Sequence, residues 1–202
     1  MKDINATVIV DLNPKEEDIL KSMHKDARWG INRAVKEGLT VEETNSDADW
    51  QKLYDIYRNT MIEGGTKIKP LEELKKNSSV LLVCKKSDKI IAGASIWFAD
   101  KYNMKVPRLY LNASMKEHQN LQPNNLLYWK CIVWSKNKGY DSFDLGGYQI
   151  KAREHLNGIN KFKEKFGKVV YYDKQYPFFK AIGRKFIRNF RFFWWLNKKL
   201  RN

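Results

Sequence analysis

One stretch near the middle of the chain, LQPNNLLYWKCIVWSKNKGYDSFDLGGY from Leu121 to Tyr148, restricts its fold more than any other. It runs through a polar loop, an apolar helix over Asn124–Lys138 closed by Gly139, a short strand over Ser142–Leu145 and a double glycine. A helix with Leu, Tyr, Trp, Cys, Ile and Val on most of its faces belongs inside a domain. A brief apolar strand bounded by turn residues belongs in a covered sheet.

The rest of the chain supplies partners for this unit. Thr7–Leu12 reads as a first strand. Asn13 serves as N-cap and Pro14 as first helical residue, with Glu16, Glu17 and Asp18 at the positive end of the helix dipole. That helix continues through KSMHKDARWGINRAVKEG, bent or interrupted near Gly30, and stops at Gly38. A strand over Leu39–Glu43 precedes a helix opened by Asp47 or Asp49, whose apolar stripe is Trp50, Leu53, Tyr54, Ile56, Tyr57 and Met61. Gly64 and Gly65 end that pattern. Val80–Cys84 and Ile90–Phe98 form a hairpin across KKSDK, with a bulge expected at Gly93 and Ala94. Arg108–Asn112 and Val169–Asp173 are further strands, Gly158–Phe166 is a short helix and Phe178–Leu200 a terminal one. This alternation predicts an α/β domain, a mixed sheet flanked by helices. The domain is placed at residues 1–176, with the basic helix at 177–202.

At 202 residues and 23.9 kDa the chain is long enough for one domain with a substantial core. Hydrophobic residues at 43% and aromatics at 13% exclude a disordered chain. Cys84 and Cys131 lie in apolar runs at no metal-ligand spacing, so reduced core thiols, no metal and a cytoplasmic setting are expected. The first residues lack the apolar run of a signal peptide, and no segment approaches the roughly 18–20 apolar residues of a membrane span. The net charge of +15 is unevenly spread: residues 149–202 hold 15 basic and 3 acidic side chains. That concentration marks a patch suited to RNA, phospholipid headgroups or a phosphorylated substrate, or else a solvated face.

The order of elements is that of the GNAT acetyltransferase superfamily, and three stretches resemble something narrower. RWGINRAVKEGLTVEE, with Arg28, Ile31, Arg33, Ala34 and Gly38, resembles an early segment of the Fem-type (FemABX) peptidyltransferases. LYLNAS followed by Leu121–Tyr148 resembles their central strand, donor-side helix and glycine-ended strand. GINKFKEKFG, from Gly158 to Gly167, resembles their late signature. The resemblance covers Lys25–Tyr172 and implies a single-domain, GNAT-like α/β fold. It also implies transfer of an amino acid from aminoacyl-tRNA to an amine of a lipid-linked or nucleotide-linked peptidoglycan precursor. No cofactor is implied, the activated donor being a co-substrate. Larger Fem-type enzymes carry two such domains and some a coiled-coil arm, whereas this chain matches one domain. A homo- or hetero-oligomer would then supply the second.

Acetyl-CoA enzymes of this superfamily cradle the pyrophosphate on backbone N–H groups of a Gly-rich turn at a helix N-terminus. Here the equivalent stretch, KEHQNLQPNNLLYW, contains no glycine, and Pro123 removes one donor. Asn124 or Asn125 caps the helix or offers its amide to a ligand.

No Ser-His-Asp or Cys-His arrangement is legible, and His24, His118 and His155 sit in polar contexts. Direct attack by a neutral amine is therefore the simpler chemistry. By resemblance, Lys163 in FKEKF matches the family lysine thought to hold the donor ester or its oxyanion, with Phe162 and Phe166 burying one side of its helix. Its alternative is one of a row of solvated lysines with Lys161 and Lys165. Tyr148 is a candidate hydroxyl donor or proton relay. Arg28, Arg33, Tyr110, Asn124, Tyr128, Gly146, Gly147 and Phe162 complete the candidate substrate site. Arg28 and Arg33 are candidates for phosphate contact, with paired surface arginines the commoner outcome; Tyr110 is equally core, and the glycines equally a tight turn. Asp144, in a short apolar strand, reads as a buried carboxylate in a structural hydrogen bond.

In PFFKAIGRKFIRNFRFFWWLNKKLRN, Phe178, Ile182, Phe186, Phe190, Phe193 and Trp194 fall within about half a helical circle. Lys180, Arg184, Arg188, Arg191 and Lys198 fill much of the rest. Such a helix suits the inner face of a membrane, with RNA or the domain itself as alternatives. The chain is thus expected to be a Fem-type N-acyltransferase acting on a cell-envelope amine. The other readings are an acyl-CoA-dependent N-acetyltransferase of amino sugars and a non-catalytic module binding membrane or RNA.

Overall fold

The computed structural model describes residues 6–98, 106–150 and 154–171. The terminal helix over Phe178–Leu200 and the boundary at 176/177 lie outside them. In chain order the elements are β1 (Ala6–Asp11), α1 (Glu16–Ser22), α2 (Lys25–Lys36), β2 (Leu39–Thr44), α3 (Asp47–Glu63), α4 (Leu71–Lys76), β3 (Val80–Lys86) and β4 (Lys89–Phe98). β5 (Pro107–Ser114), a 3-10 helix (Lys116–Leu121), α5 (Pro123–Asn137), β6 (Ser142–Tyr148), α6 (Glu154–Glu164) and β7 (Lys168–Tyr171) complete them. Seven strands form one mixed sheet in the order β2-β3-β4-β5-β6-β1-β7.

The sheet is covered on both faces, and the sequence shows it by alternation. On β3, Val80, Leu82 and Cys84 join the core formed with α1, α2 and α5, while Leu81 and Val83 join the one formed with α3 and α4. A strand apolar on both faces needs helices on both.

Two bulges shift that alternation. Cys84 opposes Ala92 and Lys85 opposes Ile90, leaving Ile91 as an extra residue on β4. Ser95 opposes Leu111 and Ile96 opposes Leu109, leaving Tyr110 as an extra residue on β5. Each extra residue reverses the phase of the strand beyond it. Ile90 and Ala92 therefore enter opposite cores, as do Leu109 and Leu111. The expected bulge at Gly93 and Ala94 is displaced to Ile91. Gly93 pairs regularly with Val83, and its missing side chain makes room for Leu53, whose Cδ1 would lie 2.7 Å from an added Cβ.

The long first helix expected from the sequence is two helices, broken at Met23–His24 and unbroken at Gly30. Met23 turns into the core in extended conformation, and the His24 ring caps α2 by accepting from Asp26 N–H. Gly30 answers a packing demand: an added Cβ would lie 2.5 Å from the Asn125 side chain. The first N-cap is Lys15, because Asn13 is engaged with Asp11 and the Asp141 carbonyl. Helix α4 was not expected, although its sequence carries a signal: Pro70, then Glu72 and Glu73, then Lys75 and Lys76.

β5 and β6 are the only parallel neighbours among the described strands, joined at a single register pair, Arg108 with Asp144. Beyond it they diverge. On β6, Thr7 opposes Gly147 and Ile9 opposes Asp144, so Leu145 and Gly146 face Val8 alone. This bulge, with Gly146 at φ +81°, turns β6 away from β5 just where the pairing stops.

Candidate active site

The opening between β5 and β6 becomes a groove of about 560 Å³. Its walls are Leu109–Asn112 of β5, Gln119 and Gln122–Asn125 before and at the start of α5, Tyr128, Leu145, and Gly158, Ile159, Phe162 and Lys163 of α6.

Aromatic packing aims α6 into this groove. Phe162 meets the Tyr128 ring edge-on at 5.0 Å between centroids, and Phe166 lies 5.2 Å from the same ring. Asn160, buried, fastens the helix to the end of β6: its Nδ2 donates to the Gln149 carbonyl at 2.8 Å, and Gln149 N–H donates back to its Oδ1 at 3.2 Å. One turn further on, Lys163 is only 8% exposed, and its Nζ donates to the Gly147 carbonyl at 3.0 Å. Burial lowers its pKa from 10.5 to about 8, a fall that Asp144 opposes and Arg108 assists. An ammonium with one fixed partner faces the groove with further donor hydrogens.

A polar assembly lies beneath it. Arg108 Nε stands 3.4 Å from Asp144 Oδ2. Gly146 N–H donates to Asp144 Oδ1 at 2.7 Å, and the Thr7 hydroxyl sits between that carboxylate and the Gly146 carbonyl, 2.9 Å from the latter. An added Cβ on Gly146 would lie 3.1 Å from the Leu109 carbonyl and 3.6 Å from Lys163 Nζ. Glycine at this place therefore serves both the left-handed turn and the close approach of the Leu109 carbonyl. Asp144 was legible from the sequence as a buried carboxylate, but Thr7 and Arg108 were not, because their partners are strands distant in sequence.

Of the candidate residues, Tyr110, Asn124, Tyr128, Phe162 and Lys163 line the groove, and the Gly147 carbonyl, next to Gly146, holds the Lys163 ammonium at its edge. Tyr110 is the bulged residue of β5, and its hydroxyl accepts from Lys69 Nζ at 3.2 Å. The remaining three lie elsewhere. The Tyr148 hydroxyl donates to Glu164 at 2.6 Å on the exposed side, a bond that pushes its pKa up to about 12. Arg28 donates to the Lys21 carbonyl at 2.9 Å, and Arg33 pairs with Glu37 at 2.9 Å, both on α2. None of these three lines the groove.

The start of α5 explains the missing glycines. Gln122 takes the left-handed conformation at φ 63°, and Pro123 has no N–H. The N–H groups of Asn125 and Leu126 both reach the Gln122 carbonyl, while those of His118 and Gln122 close the preceding 3-10 turn. Few backbone donors remain for a pyrophosphate. Side-chain amides stand there instead: Asn124 Nδ2 donates to Ser114 Oγ at 3.0 Å, and its Oδ1 accepts from Asn112 at 3.2 Å. Asn125 was named with Asn124 as a cap or ligand contact, but Asn112, Gln119 and Gln122 were not among the site residues expected from sequence, although alternation along LYLNAS would have put Asn112 on the same side as Tyr110.

Solved structures share this fold. FemX superposes with a TM-score of 0.70 at 14% identity, over 88% of this chain and 63% of FemX. The C-terminal domain of a protein assigned as a lysylphosphatidylglycerol synthetase, from Agrobacterium fabrum, gives 0.63 at 16% identity, over 83% of this chain and 58% of that one. The aminoglycoside acetyltransferase meta-AAC0020, from an uncultured soil metagenomic sample, gives 0.51 at 15% identity, over 69% and 97%. The fold is that of the Fem/GNAT-like acyltransferases. No protein-family model matches the chain, nor does any curated protein. The chain spans less than two thirds of the length of FemX and of the synthetase domain. Within the Fem/GNAT-like fold, the described helices include none long and apolar enough to cross a membrane.

Proposed function

We propose that this chain is an acyltransferase of Fem type, moving an aminoacyl group from aminoacyl-tRNA to an amine of a cell-envelope precursor. The observation that carries the reading is the Lys163 ammonium, buried at the mouth of the β5–β6 opening and held by the Gly147 carbonyl. In the reaction the acceptor nitrogen attacks the ester carbonyl carbon. As the C–N bond forms, negative charge gathers on the carbonyl oxygen, and the ammonium faces that charge. The C–O bond to the ribose then breaks, and the departing alkoxide takes the proton shed by the amine. An ammonium fixed at this position lowers the barrier by roughly 2.7–4 kcal/mol, or about 10²–10³ in rate.

The glycine-free start of α5, with Pro123 and few free backbone N–H groups, favours a donor without a pyrophosphate at this place, and so favours aminoacyl-tRNA over acyl-CoA. The short acetyltransferase meta-AAC0020, covered over 97% of its length, keeps the acyl-CoA reading as the second one. The basic helix at 177–202 is proposed to hold the enzyme at the inner membrane surface, near a lipid-linked acceptor, and an oligomer to supply what a second domain provides in longer enzymes.

The test is mass spectrometry of envelope precursors incubated with the protein and either charged tRNAs or acyl-CoAs. An aminoacyl mass gained from charged tRNA, and lost about 10²–10³-fold with Lys163→Ala, is expected. Gain from acyl-CoA alone, or full turnover by the variant, overturns the reading.

A further inference from the structure

The groove has two chemically different ends. Lys163 and Gly146 mark one, beside Leu109. Asn112, three residues further along β5, marks the other, about 10 Å away at the strand rise of roughly 3.3 Å per residue. Around Asn112 gather Gln119, Gln122, Asn124 and Asn125, so five carboxamides and no charged side chain wall this end.

Their mutual bonds fix what is left over. Asn112 Nδ2 serves the Gly93 carbonyl at 3.3 Å and Asn124 Oδ1 at 3.2 Å, which uses both hydrogens and leaves Asn112 Oδ1 as an acceptor. Gln122 Oε1 accepts from Asn125 at 2.8 Å, leaving the Gln122 amide hydrogens as donors. Gln119 is exposed, and its amide makes no hydrogen bond among the described residues. Donors and acceptors thus stand side by side with no net charge. Among the described residues a diphosphate would find few backbone N–H groups; the one charged side chain lining the groove, Lys163, stands at its far end, and Lys69 is engaged by the Tyr110 hydroxyl and Glu73. Hydroxyls and ring amides, which both give and accept hydrogen bonds, match the set, and a carboxamide pairs with the adjacent donor and acceptor of adenine.

We propose that this carboxamide end is a subsite for an uncharged, hydroxyl-bearing ring, the terminal nucleoside of the acyl donor, and that it rejects a diphosphate. The assignment of the ring to the donor rests on the aminoacyl-tRNA reading; the preference for a neutral ring does not. A sugar of the acceptor has the same chemistry, and binding separates the two sources.

Saturation-transfer NMR on the full chain with adenosine, N-acetylglucosamine and CoA as probes is the experiment. Adenosine at millimolar concentration should receive saturation and CoA should bind no more tightly than adenosine. Gln119→Ala, which disturbs no internal bond among the described residues, should weaken adenosine about fivefold, the size of one hydrogen bond. Asn124→Asp, the same shape with a charge, should weaken it further, and thermal unfolding reports whether that variant is folded. Binding of N-acetylglucosamine alone, with the same sensitivity to Gln119→Ala, keeps the subsite and gives the ring to the acceptor. The proposal is overturned if neither ring binds, if CoA binds tighter through its diphosphate, or if both carboxamide variants bind adenosine like the parent. Adenosine binding without any aminoacyl transfer would instead sink the proposed reaction and leave the subsite standing.

Discussion

Lys163→Met should make the folded protein more stable while removing the proposed chemistry. Lysine in the unfolded chain titrates at 10.5, and burial in the folded state lowers Lys163 to about 8. At about 1.4 kcal/mol for each tenfold change in proton affinity, keeping the ammonium charged in its buried position costs about 3 kcal/mol. The sign is set by the protons bound. Between pH 8 and 10.5 the unfolded chain holds the proton that the folded chain has lost, so stability rises with pH across that window. Below pH 8 the whole cost is in place. Methionine fills the same volume without charge, but leaves the Gly147 carbonyl without its donor, a loss of about 1 kcal/mol. The net expectation at pH 7 is a gain of about 1–2 kcal/mol.

Urea denaturation of parent and variant at pH 7 and pH 10 tests this directly. Other titrating groups cancel in the difference between the two proteins. The variant's advantage should shrink by about 2 kcal/mol between those pH values, as the parent sheds its buried charge. A variant less stable than the parent at pH 7, or an advantage that does not change with pH, would show that the ammonium is not under electrostatic strain. Activity provides the counterpart: if the ammonium is the working form, turnover by the parent should fall as pH rises through about 8.

Gly146→Ala places a side chain at φ +81° against the Leu109 carbonyl, so it should cost about 1–3 kcal/mol in stability, and aminoacyl transfer should fall further than unfolding explains. Two helical glycines should respond oppositely in thermal unfolding: Gly30→Ala drives a Cβ to 2.5 Å from Asn125 and destabilises by about 1–3 kcal/mol, whereas Gly158→Ala meets nothing within 4 Å and stabilises by about 0.4–1 kcal/mol. Thr7→Val removes the hydroxyl between Asp144 and the Gly146 carbonyl and should cost about 1–3 kcal/mol in urea; Thr7→Ser should cost much less, and equal losses would count against the hydrogen bonds.

The elements with strong local signals were legible from sequence. The stripe of α3 is buried at Trp50, Leu53, Ile56 and Tyr57, and α5 and β6 fall within a residue or two of the expected starts. Local signals failed where the cause lay far along the chain. Gly30 and Gly93 read as a kink and a bulge, yet each is small because Asn125 or Leu53 presses against it from another element. Tyr110 gave no sign of being a bulged residue, since a bulge is a property of two strands. The same limit governed the groove. Lys163 and Phe162 came from a stretch resembling a known signature, but Thr7, Arg108 and Asn112 meet their partners only through the sheet.

That limit also explains why the groove lies where it does. Once β5 and β6 part beyond Arg108 and Asp144, the backbone groups of β6 on that side lose the ladder that a neighbouring strand would give. Three side chains take its place: Asp144 accepts from Gly146 N–H, Thr7 meets the Gly146 carbonyl and Lys163 donates to the Gly147 carbonyl. Without them the divergence would leave buried polar groups unpaired at about 1–3 kcal/mol each. The lysine thus belongs to the structure before any substrate arrives, and its charge is the costly part of an arrangement whose hydrogen bond is the useful part. A protein selected for stability alone would close the strands or neutralise the lysine, as β1 and β7 are paired through four successive residues at the neighbouring edge. The sheet instead stays open around a buried ammonium, the arrangement that the proposed stabilisation of developing negative charge requires.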